Sequence, residues 1–185
     1  MDELIDITDE NGNISGKTCP KSEAHQKGYW HTSIHVWLYT KEGKLLIQKR
    51  SDNKDTFPSL WDVSVAGHIG AGESPLDGAK REVFEEIGLT VSVEELQKIG
   101  TRKSNRKHGD TLLDNEFQHV YIAQLMTPID KLKLQAEEVA DLKLISISQL
   151  RKEVYDQMEK SLYVPYPKKY LDMIFNAVKE KITRA

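Results

Sequence analysis

Three glutamates near the middle of the chain have a spacing that suits a metal site. Glu82, Glu85 and Glu86 stand at positions i, i+3 and i+4, so a helix would place their carboxylates on one face. Like charges at this spacing weaken an isolated helix, and a bound cation would remove that cost. Hard divalent ions such as Mg²⁺ prefer carboxylate and carbonyl oxygens. The pattern indicates a metal site for phosphate chemistry; an ordinary solvated acidic face is the alternative.

A helix is predicted over this segment from its ends and from its apolar positions. Ser74 is a suitable N-cap, Pro75 suits the first helical position, and Gly88 is a suitable C-terminal stop. The apolar positions recur with helical periodicity and would face a core. This buried stripe would consist of Leu76, Ala79, Val83 and Ile87.

A glycine-rich turn precedes the acidic helix at a definite distance. The segment reads Gly67, five residues, Glu73, seven residues, then Arg81-Glu82-Val83-Phe84-Glu85-Glu86-Ile87-Gly88-Leu89. This resembles a complete Nudix box, with every fixed position filled. The resemblance implies an α/β (α+β) fold, an α/β/α sandwich with a mixed β-sheet, and hydrolysis of a diphosphate linked to another moiety. It also implies that Glu82, Glu85 and Glu86 bind Mg²⁺ or Mn²⁺ with the carbonyl of Gly67, while Arg81 and Glu73 orient the helix.

Residues outside the box match a second pattern, between about residues 3 and 150. The matching pieces are Lys21-Ser-Glu-Ala-His25, Trp30-His31, Lys49-Arg50 with Lys54, Trp61, Gly67-His68 and Asp114-Asn115-Glu116. They resemble the branch of the Nudix superfamily that includes isopentenyl-diphosphate isomerase. That resemblance implies a second metal site and a set of cations that hold the diphosphate. The metal site would comprise His25, His31, His68, Asp114 and Glu116, and the cations would be Lys21, Arg50 and Lys54.

Alternative interpretations remain for the second metal site, for the three cations and for the general base. Neutral imidazoles suit zinc or other transition metals, but the histidines could instead line a pocket without binding metal. Each of the three cations could be a solvated surface residue. The general base of a hydrolase could be a box glutamate such as Glu85, or a glutamate outside the box. Outside the box, Glu116 is the first choice, followed by Glu137 or Glu138.

Departures from the isomerase pattern favour hydrolysis over isomerisation. The isomerase needs a cysteine where this chain has Ala66, and a methyl group cannot exchange protons. The isomerase also has basic residues where this chain has Glu82 and Glu85, and these carboxylates need a cation. Isomerisation therefore remains the alternative function. A non-catalytic ligand sensor and, less strongly, an RNA-directed enzyme complete the alternatives.

Composition and length agree with a small-molecule enzyme. The chain has 185 residues, of which 38% are hydrophobic and 30% charged, which is typical of one globular domain. The net charge of −3 argues against a nucleic-acid partner, and no stretch is apolar enough to span a bilayer. A lone cysteine, Cys19, and an N-terminus unlike a signal peptide favour the cytoplasm. We expect a single Nudix domain over residues 1–185; a homodimer is compatible with this, as it is frequent among relatives.

Local patterns predict the remaining elements. A hairpin is expected at about 3–17, and two C-terminal helices fall within about 148–182, the first reaching about Lys160 and the second opening at Pro167. The segment from Arg102 to His108 is expected to be a solvated hairpin tip, with a contact to substrate phosphates or a second chain as the alternative. Strands are predicted at 31–39, 44–50, 61–65, 96–104, 116–126 and 142–147, and loops at 18–28, 51–60 and 105–115.

Overall fold

The computed structural model describes residues 2–109, 111–155 and 162–184, and these form a mixed sheet with four helices. A single 3-10 turn, Ile129–Lys131, precedes the last strand. The helices are α1 (Lys21–Lys27), α2 (Pro75–Ile87), α3 (Ile147–Tyr155) and α4 (Lys168–Arg184). The strands are β1 (Leu4–Thr8), β2 (Ile14–Pro20), β3 (His31–Tyr39), β4 (Lys44–Arg50), β5 (Trp61–Asp62), β6 (Val65–His68), β7 (Gln97–His108), β8 (Leu112–Gln124) and β9 (Val139–Ser146).

Strand β3 is the centre of the sheet. It pairs in parallel with β8 along its whole length and antiparallel with β6, β1 and β4. Strand β7 extends the sheet beyond β8, and β9 extends it beyond β4. Parallel and antiparallel pairs in one sheet confirm the predicted mixed sheet.

Alternate residues of β3 supply two separate cores. Ile34, Val36 and Leu38 pack on one face with the buried residues of α2, as the alternation in the sequence predicts. Trp37 and Tyr39 pack on the other face with the buried residues of α3 and α4. Each face of the sheet is therefore covered by helices, and the predicted α/β/α sandwich is confirmed.

Helix α2 begins and ends where the sequence predicts. The Oγ atom of Ser74 accepts a hydrogen bond from the Asp77 amide at 3.2 Å, and Pro75 is the first helical residue. Gly88 has φ +67°, and its amide donates to the Phe84 carbonyl at 2.9 Å. The predicted stripe is inside: Ala79, Val83 and Ile87 are buried, and Leu76 packs against the same core.

Two predicted loops are wrong because their residues face polar surroundings. Residues 18–28 contain the end of β2 and helix α1, of which only Ala24 is buried, so the segment has no apolar stripe to reveal it. Most of the predicted loop 105–115 belongs to the β7–β8 hairpin, whose pairing includes Asn105 opposite Asn115. The side-chain amides of this pair are joined at 2.5 Å. A strand that faces a polar cavity lacks the apolar alternation on which strand prediction depends.

The other elements follow the prediction within a few residues. The N-terminal hairpin is present, with β2 running on to Pro20. Residues 51–60 connect strands without forming one, and the last strand begins earlier than predicted, at Val139. Helix α3 is described as far as Tyr155, so the predicted extension to Lys160 lies outside the described residues. In the described part of the chain, no helix combines the length and apolar character that crossing a bilayer requires.

Candidate active site

A cavity of about 750 Å³ gathers most of the residues that the sequence singled out. This volume falls in the range of small-molecule sites. Two of the predicted site residues lie behind its wall: His31 is fully buried, and Glu73 lies behind Arg81. The predicted residues that line the cavity are Lys21, His25, Arg50, Lys54, Gly67, His68, Arg81, Glu82, Glu85, Glu86, Asp114, Glu116, Glu137 and Glu138.

Arg81 organises the acidic end of the cavity. Its Nε and Nη2 atoms donate to the two oxygens of Glu73 at 3.0 and 2.9 Å, a bidentate pair. Its Nη1 atom donates to Glu82 at 2.8 Å and to Glu85 at 3.0 Å, and Nη2 also donates to the His68 carbonyl at 3.0 Å. Arg81 thus joins the glycine-rich turn, strand β6 and the acidic face of α2.

Gly67 leaves the space that Glu82 occupies. A Cβ atom on Gly67 would lie 2.1 Å from the Cδ atom of Glu82 and 2.3 Å from its Oε1 atom, so no other residue fits while Glu82 keeps this position. The carboxylate of Glu82 therefore lies directly against the backbone of β6. Burial there raises the pKa of Glu82 to about 7, although Arg81 opposes the shift.

The three box carboxylates differ in their surroundings. Glu86 is 4% exposed and accepts a hydrogen bond from the Gln48 side chain at 3.1 Å. Burial, with the nearby Glu82, raises the pKa of Glu86 well above its ordinary value. Glu85 is the most exposed of the three, with 48% of its side chain accessible. Closely spaced carboxylates beside a backbone carbonyl are the donor set that a hard divalent ion prefers, so these residues fit Mg²⁺ or Mn²⁺.

Five residues from four elements of the chain (α1, β3, β6 and β8) converge at the histidine end. The Nε2 atoms of His25 and His68 are 3.2 Å apart. The Oδ1 atom of Asp114 is 3.8 Å from His25 Nε2 and 3.9 Å from His31 Nε2. The Oε1 atom of Glu116 is 4.0 Å from His31 Nε2 and 3.9 Å from His68 Nε2. The structure brings together all five side chains that the sequence pairs in a second site.

Donor chemistry at the histidine end fits a transition metal. His31 Nδ1 donates to the Tyr29 carbonyl at 3.0 Å, so Nε2 is the ring nitrogen that faces the cluster. That Nε2 atom and the Asp114 Oδ1 atom are buried, and neither has a hydrogen-bond partner among the described residues. Burial lowers the pKa of His25 to about 4 and that of His68 well below its usual range, so these rings are neutral ligands at pH 7.

The carboxylates of this end also carry perturbed pKa values. Burial, with the neighbouring Glu116, raises the pKa of Asp114 to about 8. Burial opposes ionisation of Glu116 as well, but His31 and His35 hold the pKa of Glu116 below its ordinary value. Glu116 also accepts a hydrogen bond from the Gln118 side chain at 2.6 Å. Glu116 is therefore enclosed among the histidines.

The predicted phosphate-binding cations are engaged to different degrees. Arg50 donates from Nε to the Thr56 carbonyl at 2.9 Å, from Nη2 to the Thr56 hydroxyl at 3.2 Å, and from Nη1 to Asp62 at 3.1 Å. Lys54 pairs with Glu138. Lys21 lines the cavity and forms no ion pair within the described residues. Arg50 therefore holds the 51–60 loop, and Lys21 is the freest of the three.

Some cavity residues were not predicted. Glu3 lines the cavity and accepts from Arg81 Nη2 at 3.4 Å, and the buried Gln48 donates to Glu86 from behind the wall; no sequence motif marks either residue. Arg106 lines the cavity from strand β7, so the prediction of a solvated tip from Arg102 to His108 is wrong. The sequence could have indicated strand β7 only through an alternation of polar residues with period two. Such an alternation is a weak indication of a strand when it contains no apolar residues.

Comparison with known proteins places the chain in a family. Residues 29–165 match the NUDIX domain. The chain is 43% identical over 152 residues to an uncharacterized Nudix hydrolase of Clostridium acetobutylicum, covering 80% of this chain and 72% of that protein. The chain therefore belongs to the Nudix family, and its relatives support a Nudix diphosphohydrolase.

Further similarities agree with both resemblances seen in the sequence. The chain is 34% identical over 149 residues to an isopentenyl-diphosphate Delta-isomerase of Streptomyces avermitilis, covering 80% of this chain and 73% of that protein. A crystal structure of a Deinococcus radiodurans protein superimposes with a TM-score of 0.64 at 17% identity, over 96% of this chain and 98% of that one. The superposition on the Deinococcus radiodurans protein shows that the two proteins share a fold.

Proposed function

We propose that this protein hydrolyses the diphosphate bond of a small nucleoside di- or triphosphate, or of a related X-linked diphosphate, with Mg²⁺ or Mn²⁺. The main support is the acidic end of the cavity, where Glu82, Glu85 and Glu86 lie near Gly67. Arg81 donates hydrogen bonds to Glu82 and Glu85 there. Nudix hydrolases hydrolyse pyrophosphate bonds and generally use divalent metals. The complete set of box carboxylates supports catalysis over a sensor role.

The box residues would hold the metal and set its position. The carboxylates of Glu82, Glu85 and Glu86 and the carbonyl of Gly67 supply the oxygen ligands. A bound divalent ion neutralises phosphate oxygens and lowers the pKa of a bound water. Arg81 keeps the glutamates in place through Glu73, which itself accepts from the Gly70 amide at 2.9 Å.

A glutamate at the acidic end would act as general base. Glu116 was the first candidate outside the box, but its place among the histidines favours a ligand role. Glu138 lies close enough to Glu86 to raise the pKa of that residue, and the loop that carries it is fixed by the Gln135 amide, which donates to the Glu86 carbonyl at 2.9 Å. Outside the box, Glu138 is therefore the better candidate, with Glu85 the candidate within it.

Lys21 is the best placed cation for the substrate's outer phosphate oxygens, because it has no carboxylate partner within the described residues. Lys54 would contact phosphate only by leaving Glu138. Arg50 would act by positioning the 51–60 loop, since Thr56 and Asp62 already engage its guanidinium.

The histidine end would hold a resident transition metal, with ligands from His25, His31, His68, Asp114 and Glu116. The unpartnered Nε2 atom of His31 and Oδ1 atom of Asp114 support this assignment. Isomerase-like activity is the second candidate function, favoured by this cluster and by the similarity to the Streptomyces isomerase. Ala66 argues against it, since it lies opposite His35 on β3 and offers no group that could transfer a proton.

The domain would extend over residues 1–185, beyond the matched region on both sides. At the N-terminal side, Glu3 contacts Arg81, and the Gly72 amide donates to Asp6 at 2.8 Å. At the C-terminal side, α4 supplies Ile174 and Phe175 to the core under the sheet. Both flanking segments thus support the same site and core.

A substrate panel tests the function. Cleavage products, namely phosphate monoesters, pyrophosphate and inorganic phosphate, are measured for nucleoside di- and triphosphates, nucleoside diphosphates linked to a second moiety, and prenyl diphosphates, with Mg²⁺ and then Mn²⁺. We expect metal-dependent cleavage of one or more of the nucleotide compounds. Isomerisation of a prenyl diphosphate without cleavage would favour the second candidate, and tight binding without any cleavage would favour a sensor.

A further inference from the structure

The cavity contains a cation that neither the box nor the histidine cluster explains. Of the basic side chains that line it, Arg50, Lys54 and Arg81 each pair with a carboxylate. Lys21 and Arg106 form no ion pair with any carboxylate of the described residues. Lys21 is already assigned to the substrate's diphosphate. Arg106 also lines the cavity, is half-buried, and has no role in either proposed metal site.

The guanidinium of Arg106 lies beside two aromatic rings. Its guanidinium carbon lies 5.1 Å from the ring centroid of Phe57 and 5.5 Å from that of Tyr166. Its Nη2 atom donates to the Pro165 carbonyl at 2.7 Å. A guanidinium stacked on rings donates through its edge, and its remaining N–H groups find no acceptor within the described residues. The site is therefore built to receive an acceptor with more than one oxygen.

Phe57 reaches this position at a conformational cost. Its backbone has φ +49°, in the left-handed region that residues with a side chain rarely adopt. Its ring also meets His108 edge-on, with centroids 4.9 Å apart. Such strain persists only where the surrounding structure maintains it, and it concentrates at ligand-binding positions.

Arg102 shows what a purely structural arginine looks like in the same strand. It also stacks on Tyr166, with a carbon-to-centroid distance of 5.5 Å, and on Tyr170 at 5.1 Å. Its Nη1 atom, however, donates to the Gln118 side chain at 2.7 Å, and it does not line the cavity. Arg106 differs from Arg102 by facing the cavity with free donors.

Arg106 also lies apart from the acidic end. Arg106 lies on β7 opposite Asp114 of β8, at the histidine end, whereas Gly67 of the acidic end lies on β6, on the other side of β3. A ligand group bound by Arg106 would thus be separate from the phosphates that the box glutamates handle.

We propose that Arg106 binds a second phosphate group, carried by the moiety on the far side of the substrate's diphosphate. This proposal rests on the proposed diphosphohydrolase function and narrows its substrates to compounds with an additional phosphate monoester. A phosphate offers the several oxygens that the edge of a fixed guanidinium can bind in parallel.

The test compares ligands that differ by one remote phosphate. Calorimetric titrations with Mg²⁺ use NADPH against NADH and coenzyme A against 3′-dephospho-coenzyme A. We expect wild type to bind the phosphorylated member of one or both pairs at least about tenfold more tightly. Arg106→Met should bind both members of that pair equally, while the control Arg102→Met should keep the preference. If Arg106→Met does not fold, Arg106→Lys replaces it and should weaken the preference, because an ammonium lacks the planar fork.

Wild type without a preference in either pair would overturn the proposal. A preference that survives in the Arg106 variant would also overturn it. So would an Arg106 variant that binds both members of a pair more weakly by the same factor, because the side chain would then only form part of the cavity wall. Cleavage products are measured in the same samples. Preference without cleavage would count against the hydrolase function alone, and cleavage without preference against the Arg106 site alone.

Discussion

The two ends of the cavity differ in how their crowded polar groups find hydrogen-bond partners. At the acidic end, the carboxylates of Glu82, Glu85 and Glu86 each accept a hydrogen bond from Arg81 or Gln48. At the histidine end, buried atoms of His31 and Asp114 have no hydrogen-bond partner among the described residues. The protein therefore supplies donors to each carboxylate of the acidic end, although burial still raises the pKa values of Glu82 and Glu86. At the histidine end, ligand atoms themselves lack partners, which is costly for buried polar groups.

The two ends also differ in exposure to solvent, which indicates different roles for a bound ion. Glu85 is about half exposed, so an ion at the acidic end can exchange with solvent and with each substrate. His31 is fully buried and Glu116 is 7% exposed, so an ion at the histidine end would remain in place. We infer that the acidic end performs the chemistry and that the histidine end holds a resident ion. The following predictions separate the two ends, from the largest expected effect to the smallest.

Glu86→Gln should damage the acidic end alone. The substitution removes a charge from the proposed metal ligands but keeps the shape of the side chain, so kcat should fall about a hundredfold or more. Steady-state kinetics at saturating Mg²⁺ measures the effect, with the exposed Glu94→Gln as the matched control. Unchanged turnover in the Glu86 variant would contradict the proposed site.

Gly67→Ala should displace Glu82 by steric contact. Its methyl group would meet the Glu82 carboxylate at 2.1–2.5 Å, so we expect a loss of roughly 10- to 100-fold in metal affinity or kcat. The control is Gly70→Ala, three residues further along the chain, whose nearest contact, to Glu73, is an ordinary 3.4 Å. Equal activity of the two variants would mean that Glu82 does not need its place against β6.

Glu116→Gln should damage the histidine end. If Glu116 is a ligand, as its distances to His31 and His68 suggest, the as-purified transition-metal content should fall more than turnover does. His68→Ala is the reference, and its metal content should fall to near zero. Loss of turnover with metal retained would identify Glu116 as the general base, and equal near-zero metal in wild type and His68→Ala would remove the histidine site.

The smallest effect concerns stability near the histidine end. Burial lowers the pKa of His35 to about 4, below the ordinary 6.5, so the folded protein favours the neutral ring. The unfolded chain therefore binds the extra proton as the pH falls below 6.5, and stability is lost between about pH 6.5 and pH 4. This loss amounts to about 3 kcal/mol of unfolding free energy.

Urea denaturation of wild type and His35→Gln at pH 7.5 and pH 4.5 measures this effect. Glutamine does not titrate, so the variant should lose less stability than wild type between the two pH values. Parallel loss in both proteins would show that His35 does not contribute to the pH dependence.

What could be predicted from the sequence follows the same division. The acidic end lies mostly within one segment, so local rules were enough: Ser74 caps α2, Gly88 ends it, and the glutamates point to the cavity. The histidine end combines residues from α1, β3, β6 and β8, and only the family resemblance grouped them. Their actual proximity depends on the parallel pairing of β3 with β8, which sequence periodicity does not reveal.

The failures have a common physical cause. Strand β7 and helix α1 face polar surroundings, so neither shows the apolar periodicity on which prediction depends. The partners of Arg50 and Arg106 come from distant segments, so the sequence does not distinguish a guanidinium engaged by the protein from one free to bind a ligand.

Soaking crystals of wild type with Mn²⁺ and recording anomalous diffraction tests the central claim most directly. We predict a peak bounded by the carboxylates of Glu82, Glu85 and Glu86 and the Gly67 carbonyl, and its absence in Glu86→Gln. An empty acidic end in wild-type crystals, with the glutamates still held by Arg81 and Gln48, would contradict the account.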